Sequence, residues 1–176
     1  MSQHDFKPAS LFYKRASKSA RILYDGCGCL VILMFLTAIA MPSFLNMANK
    51  SKQSEAKQYV SSLNKGQQAY YAEKNAFSTS IEALGLGLKT ETTNYKYLLF
   101  VTNKAALNYS VSKQKKEKSY VGGVFLVPDY PTAPKNAMTT QSILCEADSP
   151  GTIELAEPTY QNGKLICGKG TTQVTK

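Results

Sequence analysis

From Gly26 to Asn49 the chain carries no charged residue, and the centre of that stretch reads Leu30-Val31-Ile32-Leu33-Met34-Phe35-Leu36. A helix needs about 20 such residues to cross a hydrocarbon core about 30 Å thick. The stretch is long enough, although Gly26, Gly28, Pro42 and Asn46 dilute its ends. Lys7, Lys14, Arg15, Lys18 and Arg21 precede it, against Asp5 and Asp25. The positive-inside rule therefore keeps the N-terminus in the cytoplasm and sends the remainder across the membrane. A cleavable signal peptide is the competing reading, with Leu30 to Leu36 as its apolar region and Ala38-Ile39-Ala40 as its cleavage triplet. Against it, the leader is long and a helical pattern continues past Pro42. A core helix of a cytosolic protein is the third reading, and nothing later in the chain is apolar enough to cover one. The expected division is a basic cytoplasmic leader (1–25), a transmembrane segment (26–49) and an exported domain (50–176).

Beyond Pro42 the apolar positions Leu45, Ala48, Ala56, Tyr59, Val60, Leu63, Ala69 and Tyr70 recur mostly at three- and four-residue steps, the signature of a helical stripe. Lys50, Lys52, Gln53, Lys57, Ser61, Asn64, Lys65 and Gln68 fall on the other side, so a solvated face is expected there. Proline kinks a helix, yet within a membrane the freed carbonyl is tolerated. One long helix ending near Asn75 is predicted. Leu84-Gly85-Leu86-Gly87-Leu88 is a turn-rich connector; it lacks the third glycine and the Lys-Ser/Thr ending of a phosphate loop. Three β-type runs follow, Tyr95 to Thr102, Ala106 to Lys113 and Ser119 to Val127, separated by Asn103-Lys104 and by a Lys-rich tip at Gln114 to Lys118. They predict an antiparallel meander. Gly122-Gly123 marks a bulge or a close backbone approach. After a loop from Pro128 to Pro134, short strands are expected at Ser142 to Glu146 and Lys164 to Cys167.

The net charge of +9 is dispersed along the chain and specifies no partner by itself. Of the four cysteines, Cys145 and Cys167 lie in the exported part and should pair in an oxidising compartment. Closing that loop is worth about 3 kcal/mol in the chain-entropy picture. Cys27 and Cys29 read as small residues lining a helix, without the further ligands a metal site requires. The only histidine, His4, sits in the leader, so the usual base for a serine or cysteine nucleophile is missing from the exported part. No carboxylate pair is marked as an acid/base couple, and no enzyme, cofactor or small-molecule substrate is expected. Lys113, Lys115, Lys116 and Lys118, near Tyr109 and Tyr120, form a basic tip able to make weak contact with a polyanion, the phosphates of a nucleic acid or a polysaccharide. The favoured alternative is a solvated hairpin end kept polar against edge pairing.

Ala38-Ile39-Ala40-Met41-Pro42-Ser43-Phe44-Leu45-Asn46, continuing through Ala48-Asn49-Lys50 and Gln53-Ser54-Glu55-Ala56-Lys57, resembles the first helix of type IV pilins. Gln67-Gln68-Ala69-Tyr70-Tyr71, the segment Leu84 to Tyr97, Ser119 to Val124 and Ile143 to Ala147 resemble the pilin-like G/H group of cyanobacteria. The resemblance implies an α+β fold in which a long N-terminal helix, apolar in its first half, packs its second half on an antiparallel sheet closed by a C-terminal disulfide loop. It also implies a structural subunit or minor component of a pilus or secretion filament. Its partners would be other pilins and the inner-membrane assembly machinery, and its setting motility, adhesion or DNA uptake at the cell surface. Such pilins are cut after a glycine and methylated on the following phenylalanine, with a glutamate at the fifth mature position. Here that register places Ala20 before the cut, Arg21 after it and Asp25 at the carboxylate position. Gly26-Cys27 offers a glycine, but the fifth residue beyond it is Val31. The alternative expectation is therefore an unprocessed single-pass inner-membrane protein whose pilin-like domain, periplasmic or extracellular, serves as an assembly accessory or an adhesion module.

Overall fold

The computed structural model describes residues 47–129, 137–151 and 155–174. The leader, the apolar stretch up to Asn46, the candidate processing residues Ala20, Arg21, Gly26 and Cys27, and Asp25 lie outside the described residues. Among the described residues no helix is long and apolar enough to cross a membrane.

A helix, α1, occupies residues 47–74. Its end is set by Asn75, which takes a left-handed φ of 52° and donates its backbone N–H to Tyr71 O at 2.8 Å. Asparagine is one of the few side chains that accepts this conformation, so it closes the helix where glycine commonly would. The buried face runs through Ala56, Val60, Leu63, Asn64 and Gln67, the i, i+4, i+7, i+8, i+11 series of one helical stripe. The expected solvated face needs correction at Asn64, which is only 4% exposed, and Ala69 leaves the stripe for solvent. The connector behaves as expected. A 3-10 turn at Glu82–Leu84 ends at Gly85, and both Gly85 (φ 66°) and Gly87 (φ 64°) sit in left-handed conformations that favour glycine.

Strands β1 (Tyr95–Val101), β2 (Ala105–Ser112) and β3 (Tyr120–Pro128) form the expected three-stranded antiparallel meander, and β4 (Met138–Ala147) extends it by pairing with β3. β4 is longer than the sequence suggests. Two short strands went unread, β5 (Thr159–Gln161) and β7 (Thr171–Gln173). β7 pairs with β4, giving the order β1-β2-β3-β4-β7, whereas β5 and β6 (Lys164–Ile166) form a separate hairpin.

Alternation divides the sheet into two faces. On one, Tyr95, Tyr97 and Tyr120 pack with Ala56, Val60 and Leu63 of α1. On the other, Val121, Ile143 and Cys145 pack with Leu155, Leu165 and Cys167, so the C-terminal segment covers the outer face of β3 and β4. Cys145 and Cys167 form a disulfide with Cα atoms 5.8 Å apart, tying that cover to β4.

Gly122 explains how closely α1 lies on the sheet. A Cβ built there would come within 2.6 Å of Val60 Cγ1 and would also strike the Asn64 amide. Gly123 faces the other way, where a Cβ would meet Pro158 Cγ at 2.9 Å. Both ladders through β3 run in unbroken register, so the glycine pair marks a close approach from each side and not a bulge.

Candidate functional site

The helix and sheet are joined by polar groups as well as apolar ones. Asn64 donates from Nδ2 to Ile143 O at 2.9 Å and accepts at Oδ1 from Asn108 Nδ2 at 2.8 Å. One turn on, Gln67 donates to Ser78 O at 2.8 Å and accepts from Ser78 N–H at 2.9 Å, holding the chain that leaves α1 against the helix. Buried amides are tolerated only when so paired. Because Asn64 and Gln67 can pair only in one placement of the helix, they specify register as well as contact.

Toward the start of α1 the interface becomes ionic. Lys52 Nζ lies 3.1 Å from Glu117 Oε1, and the Glu117 side chain is 1% exposed. Among the described residues Glu117 Oε2 has no hydrogen-bond partner. Glu146 of β4 accepts from Lys57 of α1 and from Lys118 of the tip, each at 2.8 Å. Burial pushes the Glu146 carboxyl up, but the hydrogen bonds and charges of Lys118 and Lys57 outweigh it and hold the group below the usual carboxylate range. Tyr120, buried beside this pair, reaches Gln53 Oε1 at 3.3 Å, and Lys57 Nζ lies 5.6 Å from its ring centroid. Three tyrosines line the helix side of the sheet. Burial pushes Tyr97 up to about 12 and raises Tyr95 and Tyr120 further, with Glu117 adding to the rise at Tyr95 and Glu146 at Tyr120. Tyr97 stacks on Tyr59 with ring centroids 3.9 Å apart.

The lysines of the β2–β3 tip, expected to form one patch, have different fates. Lys113 pairs with Glu91 and donates to Thr92 O, holding Glu91 below its ordinary range, and Lys118 is held by Glu146. Lys115 and Lys116 are exposed, with no ion pair among the described residues. The expected aromatic company is absent from the tip. Tyr120 is fully buried against α1, and Tyr109 faces the outer side, where its hydroxyl meets Glu157 Oε1 at 3.4 Å. Sequence reading missed Glu117 altogether. It sits in a run of lysines, and only the return of the tip onto α1 shows that it is buried. The tip is fastened by Lys113 N–H to Asn94 O (2.8 Å), Tyr95 Oη to Lys118 O (3.1 Å) and Gly151 N–H to Glu117 O (2.9 Å).

Among the described residues no group of three or more His, Cys, Asp or Glu side chains is placed to hold a metal ion. What the arrangement does is mechanical: it locks an amphipathic helix onto a sheet and fastens the far face with a disulfide.

The sequence profile of the type IV pilin-like G and H family matches residues 53–168, which take in most of α1, the four-stranded meander and both disulfide cysteines. The chain belongs to the type IV pilin-like G and H family. No curated protein and no solved structure matches it. The family is a structural one, with the long helix packed on an antiparallel sheet, and its general role is that of a pilin-like structural protein assembling with other pilins.

Proposed function

We propose that this chain is a pilin-like structural subunit or a minor component of a type IV pilus or related secretion filament. The match over residues 53–168, falling on a helix locked to a sheet, carries this reading. In it, Gly26 to Asn49 first anchors the chain in the inner membrane, with the leader cytoplasmic. The same segment later joins the apolar bundle of neighbouring subunits. Asp25 is the carboxylate that would meet a neighbour's N-terminal amine after cleavage between Ala20 and Arg21.

A second reading follows from Ala20 and Arg21, which fall, in the register that the resemblance implies, where such pilins carry glycine and phenylalanine. In this reading the leader is kept, and the protein remains a single-pass membrane protein whose outer domain is an assembly accessory or adhesion module. An uncleaved leader would bring Lys14, Arg15, Lys18 and Arg21 against a bundle of apolar helices. Burying unpaired charge there carries a large desolvation cost. Intact-mass measurement on membrane-extracted protein and on sheared surface filaments distinguishes the two. An N-terminus at Arg21 or Cys27, found in the filament fraction, supports the subunit reading. A full-length chain confined to membranes refutes it.

A further inference from the structure

At the end of the domain where α1 begins, the β2–β3 tip folds back to form an open hollow of about 460 Å³ with the helix. Asn49 and Lys52 line it from α1, and Lys113, Lys115 and Lys116 line it from the tip. Asn49 is also the last residue of the charge-free stretch, so the lysines stand at the point where that stretch leaves the domain. Lys50, Lys115 and Lys116 are exposed and have no ion pair among the described residues. Lys52 and Lys113 are held in place by Glu117 and Glu91. The buried Glu117 ties the tip to Lys52 near the helix start, 65 residues earlier in the chain.

We propose that this lysine collar binds the headgroups of an anionic lipid surface. The proposal rests on the reading of Gly26 to Asn49 as membrane-held. A chain held that way keeps the collar within a few residues of the headgroups. There each lysine is attracted to an anionic leaflet, and the attraction fades within a Debye length of about 8 Å at physiological salt. A nucleic-acid strand is the less fitting occupant, because the aromatic rings that would stack its bases are absent from the tip: Tyr120 is buried and Tyr109 lies on the outer face. The charges are complementary, and the point of attachment brings them together.

The chain contains no tryptophan, so Gln114→Trp supplies a single reporter on an exposed turn of the tip. The full chain carrying it is reconstituted into vesicles of phosphatidylcholine alone or mixed with phosphatidylglycerol, each containing lipid spin-labelled at the headgroup. Quenching greater in the phosphatidylglycerol vesicles is expected. It should fall to the phosphatidylcholine level in about 1 M salt, where the Debye length is about 3 Å. It should fall to the same level with Lys115→Glu and Lys116→Glu, whose circular dichroism confirms an unchanged fold. Equal quenching in both lipids, or an excess that survives charge reversal, overturns the collar. So does a salt-sensitive change of the reporter with a DNA duplex but not with phosphatidylglycerol, which would assign the lysines to a nucleic acid. Release of the chain by alkaline carbonate overturns the membrane-held reading itself, and is distinguished from the other outcomes because the protein then leaves the vesicles.

Discussion

Gly122→Ala is the sharpest test of how α1 meets the sheet. Gly122 has no left-handed φ, so alanine suits its backbone, and on backbone entropy alone the change would stabilise the fold by about 0.4–1 kcal/mol. The crowding predicts the opposite sign. The new Cβ would lie 2.6 Å from Val60 Cγ1 and 2.8 Å from Asn64 Nδ2, under a helix fixed on both sides of this point. Overpacking of this kind costs about 1–3 kcal/mol. If the Asn64 amide moves aside, its bonds to Ile143 O and Asn108 are lost, leaving buried polar groups unpaired at about 1–3 kcal/mol. A net loss of about 2–4 kcal/mol is expected. Urea unfolding of the full-length chain in detergent, followed by near-ultraviolet circular dichroism of its tyrosines, measures it as a lower midpoint at unchanged slope. The double variant with Asn64→Ala should lose less than the sum of the two singles, because the second change removes the group that the first one strikes. An unchanged or raised midpoint for Gly122→Ala, or strict additivity in the double variant, would refute the close approach.

Lys52→Ala should destabilise the domain more than Glu117→Gln does, because it strands a carboxylate that is 1% exposed whereas the amide carries no charge; comparing urea midpoints checks the order. Reducing the Cys145–Cys167 disulfide, which closes a separation of 22 residues, should lower stability by about 3 kcal/mol, read from midpoints with and without reductant. The Glu146 carboxyl is held below its unfolded value of 4.5, so its contribution is present above that value and is lost as pH falls through the folded one. Replacing Lys57 and Lys118 by methionine should flatten this acid limb of a stability–pH profile. Tyr97, raised to about 12, works in the opposite direction: its contribution is complete below the unfolded tyrosine value of 10.0 and is lost as pH rises toward 12. Tyrosinate absorbance should therefore show Tyr95, Tyr97 and Tyr120 ionising late, together with unfolding.

Much of the domain is legible in the sequence. The stripe through Ala56, Val60 and Leu63 has helical period, the runs from Tyr95 to Val127 have strand composition, and Asn75 and the Gly85/Gly87 pair stand where the chain must turn. The misreadings share one cause. Asn64 and Gln68 read as solvated because amides are usually exposed, yet Asn64 bridges α1 to β2 and β4, and Gln68 Nε2 donates to Thr140 O at 3.1 Å. β7 was missed because Thr171-Thr172-Gln173 carries no alternation of its own. It is a strand only because β4 offers it an edge.

Local periodicity and turn chemistry, encoded within a few neighbouring residues, determined the helix and the meander, and the expected export of the domain singled out Cys145 and Cys167 as a pair. The chain alone also carried the resemblance to pilins. Only the tertiary structure decided which polar side chains are buried, which lysines are tied down and why Gly122 is a glycine. Those outcomes depend on partners far away in sequence, such as Lys52 with Glu117 or Asn64 with Asn108 and Ile143. Whether a polar group is stable in the interior depends on whether such a partner reaches it there, and that is known only once the chain has closed on itself.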